Sequence, residues 1–190
     1  MNQTAAPVIE TFRKVVTLKD GARVLFRPLT AEDYEGLVRL FVPLSPEDRE
    51  TVRDDITAEV VREWIDRLDY SRVLPIVAEV RHEIIGEGTL HFGKGAHRHT
   101  AEVRIFLAKA WRRRKVGTLL LETLIDLARR QGIHILTAEI VASHIHVIKA
   151  FAAHGFQAKA TLEDYFMLPD GRTTDVVLMV NTLVAHSEDF

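Results

Sequence analysis

Four consecutive basic residues, 112–115, stand directly before a segment whose apolar residues recur at helical spacing. The start of a helix carries partial positive charge and N–H groups without partners, so it favours acids and disfavours bases. A bound anion would remove this conflict, because the bases and the bare N–H groups would point at one ligand. The alternative is a solvated basic turn that binds nothing, and charge alone leaves both interpretations open.

Two other sets of residues could carry chemistry. Glu102 shares one face of a predicted strand with Arg104. A cross-strand ion pair with an arginine or lysine is the structural alternative to a role of Glu102 in proton transfer. His91, His97 and His99 gather around a polar loop. A His-x-His pattern on such a loop is weak evidence for a metal site, and we expect exposed histidines and no metal.

A predicted strand, loop and helix between residues 101 and 131 would position these groups. Residues 102–107 are rich in β-forming residues and begin with polar and apolar side chains in alternation, which predicts a strand. After the basic run, one face of the predicted helix is apolar and the opposite face is charged. The apolar face consists of Val116, Leu120, Leu124 and Leu127, widened by Leu119, Leu121 and Ala128. Gly132 is placed to end this helix.

The remaining patterns predict a mixed α/β sheet of about six to seven strands flanked by helices. Thr30, Pro46 and Thr57 are suited to begin three helices, and Ser143 to cap a fourth over residues 144–154. Besides 102–107, the predicted strands are 22–27, 74–80, 84–92, 135–141, 156–167 and 174–180. We expect an N-terminal tail (1–17), one domain (18–182) and a C-terminal tail (183–190).

Composition narrows the classes of protein. A chain of 190 residues suits one domain with a sizeable core. The formal net charge of −2 argues against a molecule that binds polyanions as a whole. The sequence has no cysteine, which excludes disulfides and thiolate catalysis. We expect no signal peptide, no membrane-spanning segment and a cytoplasmic location.

The basic run also carries a resemblance to a known family. Arg112-Arg113-Arg114-Lys115-Val116-Gly117 resembles Arg-x-x-Gly-x-Gly/Ala, the loop that binds the acetyl-CoA pyrophosphate in the GNAT N-acetyltransferase superfamily. Lys115 replaces the first glycine of that pattern. The predicted order of strands and helices is also the GNAT order. Leu18-Lys19-Asp20-Gly21 and Leu44-Ser45-Pro46-Glu47 are similar to the opening of bacterial Pat-type protein lysine acetyltransferase domains.

The resemblance implies a GNAT fold with acetyl-CoA as cofactor, and it places Glu102 where Pat-type enzymes carry a catalytic glutamate. Two residues depart from the common pattern. His144 replaces an asparagine, and Phe151 replaces a tyrosine that protonates the leaving thiolate, so Phe151 supplies no proton. The implied cofactor-binding residues are Phe106, Leu107, Arg112, Arg113, Arg114, Lys115, Val116, Gly117, Thr118, His144 and Phe151.

The function implied by the resemblance is transfer of an acetyl group from acetyl-CoA to a primary amine, by direct attack in a ternary complex. The acceptor would be a protein lysine or a small amine, and a homodimer is compatible with this function. The alternative is a degenerate GNAT domain that binds CoA or acyl-CoA and regulates a partner without catalysis. Nucleic-acid binding through residues 112–115 is disfavoured, because the run is short and has no interleaved aromatic residues.

Overall fold

The computed structural model describes residues 9–49, 52, 56–168 and 170–183. Within these residues, the strands are β1 (Lys14–Thr17), β2 (Arg23–Pro28), β3 (Val73–Val80), β4 (Glu83–Phe92), β5 (Thr100–Leu107), β6 (Ile135–Val141), β7 (Gln157–Met167) and β8 (Thr173–Thr182). The α-helices are α1 (Tyr34–Phe41), α2 (Pro46–Arg49), α3 (Ala58–Asp66), α4 (Val116–Arg130) and α5 (Ile145–Ala152). None of these helices is long and apolar enough to cross a membrane.

The strands form one mixed sheet in the order β1-β2-β3-β4-β5-β6-β8-β7, which confirms the predicted fold class. The described part of the chain has eight strands, one more than the upper predicted number. The additional strand is β1, which pairs antiparallel with β2 inside the segment assigned to the N-terminal tail. The pattern of β1 is weak because it has only four residues, and Val15 is 52% exposed. The domain boundaries themselves stay a prediction.

By its contacts the chain divides into two compact units, Met1–Thr89 with Ile105–Leu121 and Leu90–Arg104 with Glu122–Phe190. In the first unit, α1 and α3 each bury the face on which apolar residues recur at helical spacing. Thr57 begins α3 as expected, since its Oγ1 accepts a hydrogen bond from the Val60 N–H at 3.3 Å. The buried cluster of this unit contains Leu29, Leu37, Leu40, Phe41, Ile56, Val61, Ile65, Val77 and Ile84.

The turn between β3 and β4 has two residues, Arg81 and His82, with φ of 50° and 68°. Positive φ at both central residues is typical of the tight turn whose twist matches the two flanking strands. The two predicted strands 74–80 and 84–92 are therefore joined by a two-residue hairpin turn, and β4 begins one residue earlier than predicted, at Glu83.

In the second unit, β6 pairs antiparallel with β8, and β8 with β7. β5 and β6 are parallel, and their pairing runs from Thr100↔Ile135 to Glu102↔Thr137. Helix α5 corrects the predicted cap. His144, not Ser143, is its N-cap, the helix ends at Ala152, and Val147 is 41% exposed.

Candidate functional site

Helix α4 begins where the sequence predicts, directly after the basic run. Its first intrahelical bond runs from the Leu119 N–H to the Lys115 carbonyl at 3.0 Å. The N–H groups of residues 116–118 therefore have no partner within the helix. Val116 and Leu120 are fully buried, so the first turn is anchored by its apolar side. The N–H groups of this turn are available to an anion at the helix start.

The loop before α4 contains two residues with left-handed backbone. Arg113 has a φ of 59° and Lys115 a φ of 68°, both in the left-handed region that glycine adopts most readily. Lys115 stands where the GNAT pattern has a glycine, and it keeps the backbone shape that explains the preference for glycine there. Turns that contain left-handed residues can form concave sets of N–H groups that bind anions. Lys115 therefore adopts a conformation that a glycine at this position would adopt without steric cost.

Arg112 is held within its own unit. Its Nε donates a hydrogen bond to the Leu107 carbonyl at 3.0 Å, and its Nη1 donates to Oδ1 of Asp48 at 2.6 Å. Burial alone would raise the pKa of the Asp48 carboxyl, but the hydrogen bonds and charge of Arg112, with smaller contributions from Ser45 and Lys109, hold the pKa below its usual value. Arg112 thus fastens the end of β5 to helix α2.

Arg114 is also paired. Its Nε donates to Oδ2 of Asp20 at 3.0 Å, and its guanidinium carbon lies 4.0 Å from the centre of the Trp111 ring. In contrast, Arg113 and Lys115 are exposed, and no carboxylate of the described residues lies within 4.0 Å of either. Only two of the four bases are therefore left to meet an external anion.

The last residues of β5 are tightly packed within the first unit. The Phe106 ring centre lies 5.1 Å from that of Phe41, and the Ala108 N–H donates to the Ile85 carbonyl at 2.9 Å. A Cβ added at Gly86 would lie 2.3 Å from Cδ2 of Leu107, whereas one at Gly117 would lie 3.2 Å from its Cδ1. Glycine at these two positions lets β4 and the first turn of α4 approach Leu107 closely.

Glu102 lies on β5 in the second unit, at the last residue of that strand to pair with β6. Its Oε2 lies 3.0 Å from Nη2 of Arg104, so Glu102 forms an ion pair within its own strand, whereas the sequence suggested a pair across strands. The Glu102 side chain is 21% exposed, but its Oε1 atom is buried. Its role in proton transfer stays a prediction.

The two departures from the GNAT pattern also lie in the second unit. Phe151 is 6% exposed and packs on Phe156 with ring centres 4.9 Å apart, so it is a core residue. His144 begins α5, and its carbonyl accepts hydrogen bonds from Val147 and Ile148 at 2.9 and 3.1 Å. Contact of either residue with a cofactor stays a prediction.

A buried acid was missed by the sequence analysis. Glu87 lies in the middle of β4 and is 9% exposed. Burial, and to a smaller extent the negative charge of Asp33, raise the pKa of Glu87 to about 7. A glutamate between two glycines in the otherwise apolar run Ile85-Gly86-Glu87-Gly88 was a signal that could have found it. The described residues contain no group of three or more histidine, aspartate or glutamate side chains placed to hold a metal.

Comparison with known proteins places this geometry in a family. A model of the acetyltransferase (GNAT) family matches residues 34–156, which is more than half of the chain. YwnH of Bacillus subtilis (strain 168), named among the phosphinothricin acetyltransferases, is 29% identical over 116 residues. That match covers 60% of this chain and 64% of YwnH, so the chain spans just under two thirds of the length of that curated relative.

Two solved structures share the fold. The GNAT domain of S. lividans PAT is 26% identical, with a TM-score of 0.74, and the match covers 90% of this chain and 96% of that domain. The yncA protein of Salmonella typhimurium, solved with its cofactor acetyl-CoA, is 19% identical, with a TM-score of 0.72 over 88% and 98% of the two chains. The chain belongs to the GNAT acetyltransferase family, whose cofactor is acetyl-CoA.

Proposed function

We propose that this protein transfers an acetyl group from acetyl-CoA to a primary amine. The observation that carries the proposal is the loop before α4, which keeps left-handed backbone at Lys115 although the family glycine is absent. The left-handed conformation of a lysine costs about 1 kcal/mol or more, and a loop without an anion-binding role would not need this conformation.

The residues of this loop would hold the pyrophosphate of the cofactor. Arg113 and Lys115 would supply positive charge, and the N–H groups of residues 116–118 would donate hydrogen bonds. Arg112 would act indirectly, because it is already bound to Asp48 and to the Leu107 carbonyl. The backbone around Phe106 and Leu107 would pair with the pantetheine arm. When bound, acetyl-CoA supplies the activated acetyl group.

Glu102 is the proposed general base. The pKa of an amine such as lysine is about 10.4, so most of the acceptor is protonated at neutral pH and must lose a proton before it attacks. The Glu102 carboxylate would take this proton directly or through water. The sequence has no cysteine to carry an acetyl group, which agrees with direct transfer to the amine.

For the acceptor amine, two classes of molecule have support. The resemblance of the opening residues to Pat-type protein lysine acetyltransferase domains supports a protein lysine, whereas the name of YwnH supports a small molecule. A catalytically degenerate domain is the second candidate. It is favoured by the burial of Phe151 in the core, where a tyrosine would be needed to protonate the leaving thiolate.

Calorimetric titration with CoA tests the cofactor loop. We expect the double variant R113Q/K115Q to lose at least tenfold in CoA affinity, because two charges are removed from the helix start. The matched control R129Q/R130Q removes two exposed charges from the other end of α4 and should bind as the wild type does. Equal affinity of all three proteins would remove this loop as the cofactor site.

Turnover distinguishes the two candidates. Acetyl-CoA is mixed with a panel of lysine peptides and small amines, and release of the CoA thiol is measured. Thiol release that depends on an amine supports the enzyme, whereas tight CoA binding without turnover on any amine supports the regulatory domain.

A further inference from the structure

Glu87 on β4 lies opposite Phe106 on β5, within the first unit. The Ala108 N–H donates a hydrogen bond to the Ile85 carbonyl at 2.9 Å, which sets the alignment of these antiparallel strands. Two residues along each strand from this bond, Glu87 is opposite Phe106. Residues directly opposite each other place their side chains on the same face of the sheet. The Phe106 ring packs on Phe41 of α1 with 5.1 Å between ring centres, so the Glu87 side chain points to the face that α1 covers.

Among the described residues, the Glu87 carboxyl has no partner on this face. Glu87 is 9% exposed, and no described residue donates a hydrogen bond to its carboxyl or places a base within 4.0 Å of it. Asp33, whose charge acts on Glu87, is itself bound by Arg27 through two hydrogen bonds of 2.7 Å. Arg27 also donates to Glu79 at 2.8 Å. The pKa of Glu87, raised to about 7 by burial and by Asp33, suits a group that both accepts and donates a proton near neutral pH.

Acetyl transfer to an amine includes one proton for which no carrier has been assigned so far. The nitrogen of a primary ammonium carries three protons and that of the amide product carries one, so two protons leave it. Glu102 is the proposed base for the first. The second balances the proton that the sulfur of the leaving CoA must gain. Phe151 stands where the GNAT pattern has the tyrosine that supplies this proton, and Phe151 is a buried core residue.

We propose that Glu87 takes the second proton from the acceptor nitrogen and donates it to the sulfur of the leaving CoA. This inference rests on the proposed function, in which the backbone around Phe106 pairs with the pantetheine arm beside the thioester. The N–H bond breaks as the C–N bond forms, and the S–H bond forms as the C–S bond breaks. The Glu87 carboxylate is therefore regenerated in each cycle, and the transfer needs no further acid.

Steady-state kinetics with an acceptor from the amine panel test this role. E87Q keeps the shape of the side chain and cannot carry the proton, and E83Q, at an exposed position of the same strand, is the matched control. We expect kcat of E87Q to fall by about 10²–10⁴-fold, the usual effect of a positioned acid–base group, with CoA affinity within about threefold. The loss should persist at high pH, because a neutral amine still has a proton to pass to sulfur. This persistence distinguishes Glu87 from Glu102.

Proton uptake on CoA binding gives a readout that does not depend on turnover. CoA is titrated calorimetrically at pH 7 in two buffers of different ionisation enthalpy, which yields the number of protons taken up. The thiol end of CoA should remove water from the partly ionised Glu87 carboxyl and favour its protonated form. Wild type and E83Q should therefore take up a fraction of a proton that E87Q does not.

The outcomes separate this inference from the proposed function. Equal proton uptake by all three proteins, or kcat of E87Q within about threefold of wild type, would overturn the role of Glu87 and leave the proposed function intact. A wild-type protein that binds CoA and acetylates no amine would overturn the enzymatic function, and the role of Glu87 with it.

Discussion

Asp48 and Arg112, which are 64 positions apart in the sequence, form a hydrogen-bonded ion pair at 2.6 Å. The same guanidinium donates to the carbonyl of Leu107, the last residue of β5. One side chain thus connects helix α2, the end of a strand and the beginning of the proposed cofactor loop.

Replacement D48N should weaken this connection. We expect KM for acetyl-CoA to rise severalfold with kcat less affected, because Arg112 loses its charged partner and the loop loses its support. The free energy of unfolding should fall by about 1 kcal/mol, since the pair is partly exposed.

The effect of D48N should also depend on pH. The folded pKa of Asp48 is lowered, so the ionised Asp48 stabilises the fold above its usual pKa, and this stabilisation is lost as pH falls through the lower folded value. Thermal unfolding at pH 7 and pH 3 should therefore show a difference from wild type that shrinks in acid.

Replacement K115G should stabilise the fold. Glycine adopts the φ of 68° without steric cost, so we expect a gain of about 1 kcal/mol in the free energy of unfolding. CoA affinity should fall modestly, because one positive charge is removed. K94G is the matched control, since Lys94 has a φ of −124° and glycine relieves nothing there. A K115G variant no more stable than K94G in denaturant titrations would show that the conformation of Lys115 carries no strain.

Replacement E87Q should change how stability depends on pH. The folded pKa of Glu87 is about 7, raised from 4.5 by burial, so the stability tied to its protonated form is fully present below about 4.5 and lost as pH rises through about 7. Glutamine stays neutral, and the variant should be more stable than wild type at pH 8 by roughly 2–4 kcal/mol. E83Q, at an exposed position of the same strand, should show no such gain. Parallel curves of melting temperature against pH for E87Q and wild type would contradict the prediction.

Replacement E102Q should separate binding from chemistry. If Glu102 is the base, kcat at neutral pH falls by about 10²–10⁴-fold, and activity partly returns at high pH, where more amine is neutral. CoA affinity should stay within about threefold. R104Q is the informative control, because it breaks the same 3.0 Å ion pair and keeps the carboxylate. Similar rates of both variants and wild type would mean that Glu102 serves only the ion pair.

Two glycines around Leu107 should respond differently to alanine. A Cβ at position 86 would lie 2.7 Å from the Phe106 carbonyl oxygen, which is backbone and cannot move aside cheaply. A Cβ at position 117 would meet only the end of the Leu107 side chain at 3.2 Å. We expect G86A to lower the free energy of unfolding by at least about 1–3 kcal/mol and G117A by much less. Denaturant titrations of the two variants measure this difference, and equal losses would contradict the close approach of β4 to β5.

The elements around the site were predictable because they rest on local patterns. The apolar repeat of Val116, Leu120, Leu124 and Leu127 predicted helix α4, and all four side chains are buried. The Thr57 cap and the β3–β4 hairpin followed from short-range chemistry in the same way. Strand β1 was not predicted, because a strand of four residues at a sheet edge shows little periodicity in its sequence.

The electrostatics of the site were less predictable. The partners of Arg112 and Arg114 are Asp48 and Asp20, 64 and 94 positions away, and no local pattern shows such pairs. The burial of Glu87 depends on strands that pair only in the folded protein. The α5 cap was misjudged because Ser143 is a better N-cap by propensity, while the helix begins one residue later at His144.

The pairing of Arg112 and Arg114 with their own acids has a consequence for ionic strength. Four bases in a row suggest a strongly salt-sensitive association, but two of them are neutralised within 4 Å by carboxylates of the same chain. At a distance of one Debye length, about 10 Å at 0.1 M salt, a polyanion therefore interacts with a net charge of about +2 at this loop. The rate at which a charged ligand is captured should therefore fall with added salt about as steeply as for two charges, and neutralisation of Asp20 and Asp48 should steepen that fall.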